Sequence, residues 1–264
     1  MPAFALVFLV IAGQALAGGV ETLETVEVRA GSSELIGVAG SASEGSVTAR
    51  QLAARPLLRP AEVLEAVPGL IVSQHSGDGK ANQYYLRGFN LDHGTDFATW
   101  LAGMPVNMPT HAHGQGYTDL NFLIPELVST VRYRKGPYHA EEGDFSAAGA
   151  AHIDYRRALP EGFVQAEVGP HQYTRLLTAG SRPLAEGGPV LLGAVEVAYN
   201  NGPWVEHENL RKLNAVLRLS AGTTSNGWSA AAMAYQSAWT ATDQVPRRAI
   251  ETGLIGRFGS LDPT

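Results

Sequence analysis

The chain has 264 residues, no cysteine, a formal net charge of −6 and 30 glycines, with only 17% of its side chains charged. Without cysteine there is neither a disulfide framework nor a thiolate metal site, and the acidic balance argues against a nucleic-acid partner. Abundant glycine with few charges fits a chain of strands and turns rather than a helical bundle.

Met1 to Ala12 carry no charged side chain and lead into Ala15-Leu16-Ala17, a small-x-small pattern, so residues 1–17 read as a signal peptide even though the first basic side chain is Arg29. A helical span needs ~20 residues. This run is shorter, and no later segment reaches that length without a charge, proline or glycine, so no transmembrane helix is expected. Residues 18–45 are rich in Ser, Gly and Ala, too small-sided to build a core, and read as a flexible segment. Within it Glu24, Thr25, Val26, Glu27, Val28 and Arg29 alternate polar with apolar, the pattern of an edge strand open to a partner sheet or of an ordinary linker strand.

Pro60 and the Pro68-Gly69 stop bracket AEVLEAV, whose Val63, Leu64 and Val67 share one face of a short helix. LIVSQ and QYYLRGF read as strands. His75 to Lys80 between them reads as a flexible loop that lacks the spaced carboxylates of a calcium loop. Residues 97–106 form a strand interrupted by Gly103, and Met104 to Tyr117 is loop-like, with two prolines and two histidines. Asp119 can cap a second helix through Leu120, Leu123, Ile124, Leu127 and Val128, in which Pro125 demands a kink or a broken first turn. VRYRKGPY is the next strand, and Ser146 to Asp154 supplies small residues that let a strand pass close to a wall.

From Gly162 the pattern becomes segments of about ten residues separated by turn residues: GFVQAEVG, YTRLLTAGSR, VLLGAVEVAY, LNAVLRLSAG and WSAAAMAYQSAW. The fourth places Leu213, Ala215, Leu217, Leu219 and Ala221 on one face and Lys212, Asn214, Arg218 and Ser220 on the other. Such alternation suits a transmembrane barrel strand and equally a soluble β-sandwich.

The order AEVLEAVPGLIV, QYYLRGFN, DFATWLAGMPVN, DLNFLIPELVSTVRYRKGP, FSAAGAAHIDYRR between Ala61 and Arg157 resembles the plug domain of TonB-dependent outer-membrane receptors. Arg87-Gly88 matches a plug hallmark. Val131 to Pro137 departs from the family's strand through Arg132 in place of an acid and Lys-Gly-Pro in place of Arg-Gly-Pro. The resemblance implies an α+β plug domain over residues 46–157, followed over 158–264 by antiparallel transmembrane β-barrel strands of an incomplete barrel. Plugged transporters have about 22 strands, of about ten residues each; with 102 residues after Gly162 the chain is expected to be the N-terminal part of a longer receptor.

The same resemblance implies a TonB box at Glu24 to Arg29, engagement of TonB with its ExbB and ExbD complex, and residence in the lipid of the Gram-negative cell outer membrane, the plug facing periplasm and lumen. The implied function is uptake of a scarce extracellular cargo, a siderophore-like metal chelate or a metal ion. Two rival readings are a secreted soluble β-sandwich binding module and a receptor with a purely signalling role. Too few residues separate Ala17 from the box to hold an extra signalling domain.

No G-x-S-x-G, H-E-x-x-H or phosphate-cradling glycine motif occurs, so neither an enzyme nor an intrinsic cofactor is expected. By their position in plug loops, Arg87, His93, Asp96, Met104, Asn107, Met108, His111, His113, Gln115 and Tyr117 are substrate-binding candidates. His111 and His113, at i and i+2 on an extended loop, point the same way. Imidazole with thioether suits copper, and imidazole with carboxylate suits zinc or nickel. They are therefore the metal-ligand candidates, with His93 and Met108 as further ones; the alternative is that they hydrogen-bond the plug to the barrel wall. Arg132, Arg134, Lys135, Arg156 and Arg157 suit pairing with acidic groups of a barrel lumen, or binding of an anionic siderophore.

Overall fold

The structure is a computed structural model that describes residues 8–12, 38–242 and 244–262. In chain order its strands are β1 (Phe8–Ala12), β2 (Val38–Ala39), β3 (Glu44–Thr48), β4 (Leu70–Ser73), β5 (Gln83–Leu86), β6 (Phe89–Asn90), β7 (Phe97–Leu101) and β8 (Met104–Pro105). They continue as β9 (Val128–Lys135), β10 (Gly149–Tyr155), β11 (Phe163–Val168), β12 (Thr174–Pro183), β13 (Val190–Asn200), β14 (Leu210–Gly222) and β15 (Gly227–Ala238). Helix α1 (Ala49–Ala53) follows β3, and α2 (Arg247–Glu251) follows β15. No described helix is long and apolar enough to cross a membrane.

Two bodies result. The first is mixed: a six-stranded sheet ordered β2-β3-β9-β10-β7-β8, with β10 parallel to β7 and antiparallel to β9, beside a three-stranded sheet β4-β5-β6. Between the sheets Leu64, Leu86, Leu101, Leu123, Ile124, Leu127 and Ile153 are fully buried. Pro60–Ala66 forms the expected short helix, as a 3-10 turn with Pro60 in its first turn and Val63 and Leu64 turned into the core. Gly149 opens β10 at φ +150, where a Cβ would stand 2.4 Å from the Arg134 carbonyl. At Gly149 the small residue thus serves a close approach to the backbone of β9.

The expected helix after Asp119 does not form. Only Pro125–Leu127 makes a 3-10 turn, and Ile124 ahead of it is extended at φ −104, ψ 100, as the ring of a following proline favours. The Ile124 N–H donates to the Tyr155 hydroxyl at 3.0 Å instead. Leu120, Leu123, Ile124 and Leu127 still bury completely. Their spacing records insertion into a core, and burial carries no information about which backbone achieves it.

The second body is a wall, ordered β1-β15-β14-β13-β12-β11, antiparallel throughout and not closed. All five strands expected after Gly162 are present, and β1 lies along the edge of β15, from Phe8 opposite Met233 to Ala12 opposite Ser229. The remainder of residues 1–17 and all of Glu24 to Arg29 fall outside the described residues.

The wall buries polar side chains beside Leu177, Leu192 and Val216 on its inner face and turns further large apolar side chains outward, where a soluble sandwich would cover them. On β14 Asn214, Arg218 and Ser220 are buried against the mixed domain, whereas Leu213 and Leu217 are 49% and 51% exposed. Val195 and Val197 on β13, and Leu176 on β12, also face away. Polar contacts seat the mixed domain on the inner face. Asn214 donates to the Phe122 carbonyl at 2.6 Å and Arg218 to that of Tyr155 at 2.7 Å. Arg175 grips Glu126 through both carboxylate oxygens, at 2.6 and 3.0 Å, while also reaching Glu196 at 2.6 Å and Glu167 at 2.7 Å. Lys212 completes this network on Glu196 at 2.9 Å.

The basic cluster expected to meet acidic wall groups does something else. Arg132 pairs with Asp154 and Arg134 with Glu141 and Glu142, all within the mixed domain. Lys135 donates to the Pro68 carbonyl at 3.3 Å, and Arg157 reaches the wall through the Ala221 and Trp228 carbonyls at 2.6 and 3.0 Å.

Candidate functional site

Four of the chain's eight histidines gather at one end of the mixed domain. His93 stands at the centre, 4.9 Å from His75, 4.7 Å from His113 and 5.5 Å from Tyr117 between ring centroids. Local backbone puts it there. Asp92 and His93 both take left-handed conformations, at φ 36 and 66, in the turn after β6, and the turn is clipped to the next loop by Thr118 N donating to the His93 carbonyl at 2.7 Å. Gly94 follows at φ +115, where a Cβ would meet the Thr118 side chain at 2.5 Å.

The loop with His111 and His113 is closed at its neck. Met108 and Tyr117 form an isolated bridge, Met108 N donating to the Tyr117 carbonyl at 2.9 Å and Gly116 N to that of Met108 at 2.8 Å. Buried Asn107 staples the neck: its Oδ1 accepts from Thr99 N at 2.7 Å, and its Nδ2 faces the carbonyls of Gly94, Phe97 and Gly116, each at 3.0 Å. His113 swings towards His93. His111 instead stacks flat on Tyr117 at 3.9 Å, and its Nδ1 accepts from the His113 N–H at 3.1 Å.

His93 has one nitrogen engaged and one spare. Its Nδ1 lies 2.9 and 3.1 Å from the carbonyls of Ala81 and Asn82, so Nδ1 bears the hydrogen and Nε2 keeps its lone pair. Burial holds the His93 pKa below the ordinary imidazole value, against the pull of those carbonyls and with help from His113 and His75. Asp92, His93 and His113 each offer a ligand atom, and these lie within 4.8 Å of one another.

Other candidates are placed elsewhere or hold the frame. Arg87 reaches Ser43 at 3.3 Å, and its charge acts on Lys135, away from the imidazoles. Met104 pairs with Leu101 in the β7–β8 hairpin. Asp96 and Gln115 contribute backbone carbonyls, to Ala148 N at 2.8 Å and the Thr95 hydroxyl at 2.5 Å. Tyr117 accepts the Ala81 N–H on its hydroxyl at 3.2 Å and forms the floor between His111 and His93. Sequence reasoning passed over Asp92 and His75. Asp92 directly precedes a candidate histidine, a signal that was available; His75 is 18 positions from His93 and only the fold joins them.

The loop that bears His75 is anchored to the wall rather than free. Gly77 N donates to Thr242 Oγ1 at 2.8 Å, Asn200 donates to Asp78 at 2.5 Å, and Asn121 holds the Gly79 and Lys80 carbonyls at 3.2 and 3.1 Å. Glu208, in the connection between β13 and β14, is 1% exposed and packs so tightly on Gly77 that a Cβ there would meet its carboxylate at 1.2 Å. Burial, then the charge of Asp78, pushes the Glu208 pKa up to about 6 from 4.5. The stability this group contributes is therefore full below about 4.5 and lost as pH rises through about 6. Docking of the loop should tighten by about 1 kcal/mol between pH 7 and 5. Hydrogen exchange of the 75–80 amides reads this directly, and Glu208→Gln should remove the pH dependence.

A mixed domain seated by polar contacts on one face of an antiparallel wall, whose other face presents leucines and valines outward, defines a plugged β-barrel protein. Residues 38–150 match the family described as the TonB-dependent receptor plug domain, and the chain carries that domain, followed by the first strands of its wall. Among solved structures it is similar to the siderophore receptor PirA of Acinetobacter baumannii, at 16% identity and TM-score 0.52, over 74% of this chain and 32% of that one. It is similar also to FpvA of P. aeruginosa bound to pyoverdine, at 20% identity and TM-score 0.55, over 74% of this chain and 25% of FpvA. The copper transporter OprC matches at 14% identity and TM-score 0.55, over 77% of this chain and 32% of OprC. The chain thus spans about a third or less of the length of these proteins.

Proposed function

We propose that this chain is the plug and first wall strands of a TonB-dependent outer-membrane receptor that imports a scarce metal-containing cargo. The observation that carries the reading is the seating of the plug, through buried Asn214 and Arg218, on the inner face of a wall whose other face turns Leu176, Val195, Val197, Leu213 and Leu217 outward. A lumen blocked in this way stops passive flow, so transport requires work on the plug. That work enters through Glu24 to Arg29, paired by strand addition with TonB and driven by ExbB and ExbD.

The length of one wall connection supports an orientation. The His75 loop meets residues 200, 208 and 242, at the end where β13 and β14 are joined by nine residues, whereas β14 and β15 are joined by four at the opposite end. Outer-membrane barrels keep short turns in the periplasm and longer loops outside, which supports the reading that the imidazole cluster faces the medium and receives cargo. Siderophore and copper receptors among the structural neighbours support the metal-containing class. Deleting Glu24 to Arg29 from the intact receptor should abolish uptake of radiolabelled cargo by whole cells while cargo binding to their surface is kept. Uptake that survives the deletion overturns the proposal.

A further inference from the structure

We infer that Asp92, His93 and His113, with His75 as a fourth donor, form a binding site for a single bare divalent transition-metal ion of the zinc, copper(II) or nickel class. This rests on the uptake reading above and names its cargo as an ion rather than a chelate.

Two observations converge, and the ring of His75, its centroid 4.9 Å from that of His93, stands close enough to add a fourth donor. His93 is 2% exposed and its Nδ1–H is spent on the Ala81 and Asn82 carbonyls. Such a second hydrogen bond fixes the tautomer and aims the other ring nitrogen in metal-binding imidazoles. Next, His113 and Asp92 are on the exposed side, with His113 Nε2 already 3.9 Å from Asp92 Oδ1 and side-chain exposures of 51% and 60%. In a tetrahedral site with ligands ~2.0–2.1 Å from the ion, donor atoms stand about 3.3 Å apart. Rotation of these two side chains, neither held by the core, closes the present spread of 4.8 Å.

The donor set selects the ion. Nitrogen with one carboxylate suits borderline divalent metals, whereas calcium and magnesium need oxygen shells and copper(I) needs sulfur. A ferric chelate arrives with its coordination filled and has no use for an imidazole lone pair. His111 stands outside the set because its Nδ1 lone pair is taken by the His113 N–H and its ring lies on Tyr117.

Isothermal titration of the intact receptor in detergent with zinc and with copper(II), alongside the absorption spectrum with cobalt(II), tests this. One ion per chain is expected; Asp92→Asn and His113→Ala should each weaken binding at least ~10-fold and the pair ~100-fold or more, while His111→Ala stays within about 3-fold. Both tested side chains are exposed, so circular dichroism of the variants should match the parent; if His113→Ala does lose structure, Asp92→Asn with the cobalt spectrum carries the test. Absence of saturable binding, or unchanged affinity in the double variant, overturns the site. Binding and TonB-dependent uptake of a ferric tris-catecholate by a receptor that ignores zinc and copper(II) would overturn the ion site and leave the uptake reading standing. One-to-one zinc binding by a protein absent from the outer-membrane fraction would uphold the site and sink that reading.

Discussion

Arg175→Ala is expected to lower the unfolding free energy of the intact protein by about 3–5 kcal/mol, the usual cost of removing one partner from a buried ion pair. The guanidinium is 11% exposed and is the shared cation of three carboxylates, Glu126 from the plug and Glu167 and Glu196 from the wall. Its removal strands Glu196, itself 2% exposed, with Lys212 as its remaining cation. The loss should fall selectively on the seam: amides near Glu126 should exchange faster, while the backbone ladder of β13–β14, whose hydrogen bonds do not involve the Arg175 side chain, keeps its protection. Glu126→Gln should cost less, because it removes one of three anions and leaves the cation satisfied. Combining it with Arg175→Ala should cost less than the sum. Full additivity, or a loss below about 1 kcal/mol of the kind exposed pairs give, would show that the seam does not depend on this network.

Asn107→Ala should destabilise the plug by about 3 kcal/mol, since it leaves the buried Thr99 N–H without its acceptor and takes a donor from the Gly94, Phe97 and Gly116 carbonyls, at ~1–3 kcal/mol for each unsatisfied group. Asn107→Asp is the sharper variant. It keeps the acceptor for Thr99 and swaps the amide for an oxygen aimed at the Gly94, Phe97 and Gly116 carbonyls. Like dipoles facing one another should make this isosteric change at least as damaging as alanine. Thermal unfolding with hydrogen exchange over residues 94–118 is the readout. An aspartate variant as stable as the parent would mean that the neck is held by the Met108–Tyr117 bridge alone. Asn107, a substrate-contact candidate by position, is in this structure the residue that shapes the loop.

Much of the fold was legible in the chain because it depends on local pattern. Alternation in LNAVLRLSAG announced both a strand and two unlike faces, and β14 realises them with Asn214, Arg218 and Ser220 inward and Leu213 and Leu217 outward. The pattern could not say which face met solvent and which met protein; only the plug seated on the polar side decides that. Spacing misled at Leu120 to Val128, where a 3,4 repeat predicted a helix. One proline and one distant hydroxyl, that of Tyr155, made an extended path the better way to bury the same leucines.

The candidate site divides along the same line. The sequence by itself determined the residue types, His111, His113 and Met108 in one loop with His93 nearby, and the order of segments that resembles a plug. The tertiary structure alone decided the grouping: it turned His111 onto Tyr117, buried His93 on two carbonyls, and brought in His75 on a loop anchored to Thr242 and Asn200. The reason is physical. Periodicity reports which side of an element is buried, but a ligand set depends on lone-pair directions and on contacts between residues tens to hundreds of positions apart, and these exist only after the chain has folded.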